Sequence, residues 1–174
     1  QTGHIASVGF DMYSRLMEDT IRELKGEKIQ NNLVDPVIDL QVKGYIPNDY
    51  IPDLNQRLEI YRRLQLFNSI NECTILENEL NDRYGKIPIP VAKLLLLVLI
   101  KILCKKIYIN KAYIIGNEVC FDIDRSTPIS SEKISVIIHK GIVFNSEFCI
   151  RVKLNRKDWE KDLNMIIDYL KLIL

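Results

Sequence analysis

In this chain of 174 residues, the side chains with the clearest chemical potential lie in Glu77-Asn78-Glu79-Leu80-Asn81-Asp82-Arg83-Tyr84-Gly85. Glu79 and Asp82 are separated by the spacing that makes residues neighbours on one helix face. Carboxylates this close to the carboxyl end of a helix oppose its macrodipole, a small cost that a basic partner surface would offset. The competing reading is that Arg83 and solvent screen them. Three basic groupings could touch phosphates: Arg57 with Arg62 and Arg63, Lys105 with Lys106, and Arg156 with Lys157. Each is expected on a solvated helix face with acids nearby, where exposed charge pairs contribute little. His4 lies in the terminal peptide, and His139 stands beside Lys140 and Gly141, where an imidazole can satisfy end-of-helix carbonyls. Cys73, Cys104, Cys120 and Cys149 form no C-x-x-C pair and have no His at ligand spacing, so they are expected to be buried thiols, not a zinc or redox centre. A Gly-rich phosphate loop, a G-x-S-x-G elbow and an H-E-x-x-H helix are all missing, and only seven glycines are present. The chemistry on offer is recognition, not catalysis.

The elements that would position these groups can be traced by periodicity. Phe10, Tyr13, Leu16, Met17, Ile21 and Leu24 recur at helical spacing, so an amphipathic helix is expected over Val8–Lys25, stopped by Gly26. The polar stretch 27–35 reads as a linker. Ile38, Leu40 and Val42 alternate with polar residues as in a half-buried strand. Pro47 and Pro52 force an extended approach to a helix that Asp53 and Gln56 should open as a capping box, with Leu54, Leu58, Tyr61, Leu64 and Phe67 on its apolar face. Ser69 and Glu72 repeat that box, Leu76, Leu80 and Tyr84 follow as an apolar edge, and Gly85 ends the helix. Pro88 and Pro90 introduce a helix through Lys106 that is apolar on most sides and should be central.

From Lys111 the period becomes two. Lys111–Ile115 and Glu118–Ile123 flank Gly116-Asn117, a pair suited to positive φ angles in a hairpin turn. A short helix is expected from Ser131 to Gly141, then a second hairpin turning at Asn145-Ser146, then a last helix capped by Asn155 with Trp159, Leu163, Ile166, Ile167, Leu170 and Ile173 on one face. Without a regular βαβ alternation, the class is α+β: helices packed on a small, mainly antiparallel sheet built from hairpins, preceded by an amphipathic helix.

Composition narrows the function classes. With 47% hydrophobic residues, 27% charged residues and a net charge of +1, disorder and a chain-wide electrostatic grip on nucleic acid or anionic lipid are disfavoured. The length predicts one ordinary domain with a small appendage, large enough to bury roughly 70% of the unfolded chain's surface. The run Leu94–Ile100, bounded by Lys93 and Lys101, falls short of the ~20 residues that span a bilayer, so a soluble chain with no membrane partner is expected. The amino end lacks an initiator Met and the pattern of a signal peptide, which suggests an excised piece.

Several stretches, taken together, resemble the bacterial transcription-repair coupling factor family. Gln1-Thr2-Gly3-His4-Ile5 through Val8-Gly9-Phe10-Asp11-Met12-Tyr13, with Leu16-Met17-Glu18, is similar to the segment leaving the translocation motif shared with the RecG helicase. Tyr45-Ile46-Pro47-Asn48-Asp49-Tyr50-Ile51-Pro52-Asp53, with Gln56-Arg57-Leu58 and Tyr61-Arg62-Arg63, resembles that family's carboxyl-terminal domain, as does Glu79-Leu80-Asn81-Asp82-Arg83-Tyr84-Gly85 with Pro88 and Pro90. The resemblance runs through residues 1 to about 107 and is only architectural beyond.

The resemblance implies a parent protein of the bacterial cytoplasm, an ATP-driven double-stranded-DNA translocase that removes stalled RNA polymerase and recruits UvrA in transcription-coupled nucleotide excision repair. It divides the chain into the end of the translocase core (1–26), a linker (27–35) and a carboxyl-terminal regulatory domain (36–174). Gln1 would be a remnant of the translocation motif. ATP and Mg would serve the parent, whereas these residues would need no cofactor or metal and would catalyse nothing. The regulatory domain would dock on a UvrB-like module and cover its UvrA-binding surface, with Glu79, Asp82 and Arg83 in the docking face. The other class kept open is a nucleic-acid-binding accessory domain using Arg57, Arg62 and Arg63.

Overall fold

Three of the four described helices start at a short polar side chain, Asp53, Ser69 or Asp158, whose oxygen accepts from N–H groups of the first turn. A computed structural model describes residues 35–123, 143–144 and 149–174. The helix expected over Val8–Lys25, nearly all of the linker, the helix expected after Ser131 and the turn at Asn145-Ser146 lie outside the described residues. The described residues divide between two compact units, Lys43–Val98 and, on either side of it in sequence, 35–42 with the described part of 99–174.

In the first unit, α1 (Leu54–Leu66) begins where the Asp53 carboxylate accepts from the Gln56 N–H at 2.9 Å. Only half of the expected capping box forms, because the Gln56 side chain instead accepts from the Tyr84 hydroxyl at 2.6 Å. The buried face is Arg57, Ile60, Tyr61 and Leu64, so it is rotated from the expected stripe, and Leu54 and Leu58 are only half-buried. Tyr61, common to both stripes, reaches inward, where its hydroxyl accepts from the Ile46 N–H at 2.7 Å.

Helix α2 (Ile70–Tyr84) carries the full reciprocal box of Ser69 and Glu72. The Glu72 carboxylate accepts from the Asn68 and Ser69 N–H groups, both at 2.8 Å, and these bonds hold its carboxyl below the usual range, Asn68 contributing most. Leu76 and Leu80 are fully buried and Gly85, at φ 82°, ends the helix. Helix α3 (Ile89–Lys106) starts behind Pro88, whose carbonyl accepts from Val91 and Ala92. Val91, Leu94, Leu95 and Val98 bury one face of its first-unit part, and Ile100, Ile102, Leu103 and Cys104 are buried in the part that belongs to the second unit. A Cβ added at Gly44 would lie 2.5 Å from both the Cα and the N of Leu94, so the chain can cross α3 there only as glycine. The Tyr45 N–H to Pro90 carbonyl bond, 3.1 Å, fixes that crossing.

The second unit holds a five-stranded sheet made of β1 (Val37–Asp39), β2 (Ile109–Ile115), β3 (Glu118–Ile123), β4 (Val143–Phe144) and β5 (Cys149–Lys153). The spatial order is β1-β2-β3-β5-β4. All neighbours are antiparallel except β1 and β2, which run parallel. A parallel pair needs a long crossover, and here the crossover contains α1 to α3. The β2–β3 turn opposes Ile115 to Glu118. Gly116 takes φ 57° there while Asn117 keeps negative φ, so one left-handed residue suffices where two were expected. Ala112, Val119, Phe121, Ile150 and Val152 are buried on one sheet face, and Lys111, Arg151 and Lys153 are exposed on the other.

Helix α4 (Trp159–Ile173) is capped by Asp158, not by Asn155. The Asp158 carboxylate accepts from the Glu160 and Lys161 N–H groups, at 3.1 and 3.3 Å. The Asn155 N–H is turned instead to Asp162, at 3.1 Å. Leu163, Ile166, Ile167, Leu170 and Ile173 are buried as the periodicity requires, and Trp159 is half-buried. The class is α+β, and among the described residues no helix is long and apolar enough to cross a membrane.

Candidate functional site

The carboxyl half of α2 presents Glu79 toward α1, and the two helices lock through it. Arg63 of α1 grips the Glu79 carboxylate with both Nη atoms, at 3.0 and 2.7 Å, and Arg83, one turn on along α2, adds a contact of 2.8 Å. Bidentate guanidinium–carboxylate pairs combine charge with fixed geometry. The Arg63 bonds, with lesser help from Arg83, hold the Glu79 carboxyl below its ordinary value, and Glu79 in turn raises Arg63. The Arg83 guanidinium also lies 5.0 Å from the centroid of the Tyr84 ring, within cation–π range.

Tyr84 joins this cluster to the proline-rich approach. Its ring is 5.8 Å from that of Tyr50 at an interplanar angle of 59°. The Tyr50 hydroxyl lies 3.1 Å from the Leu80 carbonyl and 3.0 Å from the Gly85 carbonyl, sharing one proton between acceptors at the end of α2. Burial, then the neighbouring Tyr84, push the Tyr50 pKa up, so it remains a donor at neutral pH. The result is a half-exposed surface of two cations, one clamped carboxylate and two tyrosines, whose side chains are held before any partner arrives.

The site residues expected from the sequence are distributed unevenly over this surface. Glu79 and Arg83 meet. Asp82, though adjacent in helical spacing, is exposed and stands outside the clamp. The expectation of two open acids is therefore corrected for Glu79, whose charge is already met by two guanidiniums. Arg63, Tyr50, Gln56 and Tyr84 were not singled out for this site. The spacing of Glu79 and Arg83 was readable as a helical ion pair, but nothing local links Arg63 to Glu79 sixteen positions away. Gln1 lies outside the described residues.

The basic grouping on α1 also needs correction. Arg57 is buried, and its guanidinium donates to the Ile51 and Pro52 carbonyls, the latter at 2.9 Å. Arg62 pairs with Glu59 at 3.0 Å and Arg63 with Glu79. Arg57 and Arg63 are thus spent on the fold and not spread over a solvated face. All four cysteines are buried as expected. Burial raises each thiol, Cys73 to about 11, which removes them as nucleophiles. Among the described residues no group of three or more His, Cys, Asp or Glu side chains could hold a metal ion.

Known proteins share both the sequence and the fold. A family model described as the TRCF domain matches residues 40–134. The transcription-repair-coupling factor of Myxococcus xanthus is 41% identical over 104 residues, covering 59% of this chain and 8% of that protein. The transcription-repair-coupling factor of Bacillus subtilis is 38% identical over 88 residues, covering 51% of this chain and 8% of that protein. The chain therefore spans less than a tenth of the length of these relatives. A solved structure titled as the C-terminal domain of transcription-repair coupling factor superposes with a TM-score of 0.72 over 80% of this chain and 91% of that one, at 21% identity, and shares the fold. Because the matching model covers more than half of its residues, the chain belongs to the TRCF domain family.

Proposed function

We propose that this chain is the carboxyl-terminal regulatory domain of an ATP-driven double-stranded-DNA translocase that removes stalled RNA polymerase and recruits UvrA in transcription-coupled nucleotide excision repair in the bacterial cytoplasm. In this reading ATP and Mg serve other parts of the parent, and Gln1 ends its translocation motif. The domain docks on the UvrB-like module and masks the UvrA-binding surface, through Glu79, Asp82 and Arg83. The observation that carries the reading is the TRCF family match across 40–134, and the pre-set Arg63–Glu79–Arg83 surface supports it. A clamped carboxylate loses little side-chain entropy on docking, and exposed Asp82 beside it can still meet a basic partner. The nucleic-acid-binding alternative loses support with the burial of Arg57 and the pairing of Arg63.

The test uses the full-length parent and its affinity for UvrA. A charge at a contact rim is worth about 1 kcal/mol or less, so Glu79→Ala with Asp82→Ala should raise UvrA affinity several-fold by depopulating the masked state. Deletion of the domain should raise it further. A deletion effect without a substitution effect would assign docking to other residues. No effect from either would reject the masking role.

A further inference from the structure

The second unit contains a cavity of about 280 Å³ between the start of α4 and the β1–β2 edge of the sheet. Its walls are aliphatic, with Leu40, Ile114, Leu154 and Leu163 around Trp159, while Gln41, Arg156 and Lys157 stand at its lip. Two features mark the lip as built. Gln41 and Arg156 both hold positive φ, 57° and 60°, a conformation that costs free energy for any residue but glycine. They are also tied to each other, since the Arg156 guanidinium donates to Gln41 Oε1 at 2.7 Å across a sequence separation of 115. Buried Asp162 holds the bend by accepting from the Asn155 and Arg156 N–H groups, at 3.1 and 2.9 Å. Its charge is thereby directed at the backbone. Gln41 is neutral, and neither Arg156 nor Lys157 makes an ion pair among the described residues.

We propose that this cavity is a docking site for a protein segment that inserts one aromatic or large aliphatic side chain against Trp159 and sets flanking acidic residues on Arg156 and Lys157. Size and charge select this occupant. The volume is below the ~300–1,000 Å³ of small-molecule pockets but accommodates a single anchor side chain, and Trp and Arg are the residue types that dominate such anchors. A nucleic acid fits less well: Leu40, Ile114, Leu154 and Leu163 offer aliphatic groups where base edges would need donors and acceptors. The inference is independent of the docking role proposed for Glu79.

Trp159 is the one tryptophan of the chain, so intrinsic fluorescence reports on this cavity directly. The chain is titrated with acetyl-Glu-Asp-Phe-Glu-amide, with its Lys-Lys-Phe-Lys counterpart, with a version carrying Ala for Phe, and with oligothymidylate. The acidic phenylalanine peptide should give a saturable shift in Trp159 emission, weakened by salt, with an affinity at least about tenfold above every control. Arg156→Gly with Lys157→Ala should lower that affinity about tenfold or more. Glycine accepts the left-handed backbone, so this variant should unfold at a midpoint no lower than that of the parent chain. Lack of saturation at millimolar peptide, equal binding of the basic or alanine peptide, preference for oligothymidylate, or full binding by the variant would each overturn the proposal.

Discussion

Glu79 shows how one residue can be readable in type and misread in state. Its position near the end of α2 suggests an exposed acid, but Arg63 and Arg83 convert it into the centre of an ionic clamp. A carboxyl held below its ordinary value of 4.5 stabilises the fold fully above that pH and loses the contribution as pH falls through the lowered value. Arg63→Ala should therefore cost about 1 kcal/mol in urea unfolding at neutral pH, and the difference from the parent chain should vanish in strong acid. An equal loss at both pH values would assign the effect to packing of the Arg63 stem. Arg57 acts differently, because its guanidinium is buried against two carbonyls and not against an acid. Arg57→Met removes their donor and should cost about 1–3 kcal/mol by the same measurement, with little dependence on pH. A cost below a few tenths would mean that water replaces the guanidinium.

At the scale of elements, what matters is how each helix starts and what may approach it. The Ser69–Glu72 box is self-contained, so Ser69→Ala should lower stability by about 1 kcal/mol. Gly44 is more demanding. The atoms that an added Cβ would strike belong to the α3 backbone, which cannot swing aside as a side chain can. Gly44→Ala should lower the unfolding free energy by about 1–3 kcal/mol through overpacking, seen as a lower urea midpoint with an unchanged slope. An unchanged midpoint would contradict the close approach to Leu94. The start of α4 moved three residues on from the expected cap: the Asp158 carboxylate accepts from the Glu160 and Lys161 N–H groups, while Asn155 and Arg156 form a bend whose N–H groups donate to Asp162.

For the whole molecule, the buried thiols provide one probe in the first unit and three in the second, Cys73 against Cys104, Cys120 and Cys149. Each thiol is raised above its ordinary value and sheltered, so modification at neutral pH must wait for an opening of the surrounding unit. Labelling of the native chain should be slower than labelling in urea by roughly a hundredfold or more at all four sites, read by mass spectrometry of the peptides. Rapid native labelling at any one of them would show that the burial found there is not maintained in solution.

Much of this architecture was legible without coordinates. The capping box of α2, the apolar girth of α3, the Gly116 turn and the face of α4 all follow from residues within a few positions of one another, and the motifs around Tyr45–Asp53 and Glu79–Gly85 already pointed to the family. What only the tertiary structure decided lies at long sequence separation. The parallel pairing of β1 with β2, the grip of Arg63 on Glu79, the inward turn of Arg57 and the lip joining Gln41 to Arg156 leave no local signal. Periodicity reports which side of an element avoids water, because that depends on the element's own side chains. Which buried carbonyl a guanidinium must satisfy, or which distant acid it meets, depends on the partner that the completed fold brings within bonding distance, and that partner has no fixed place in the sequence.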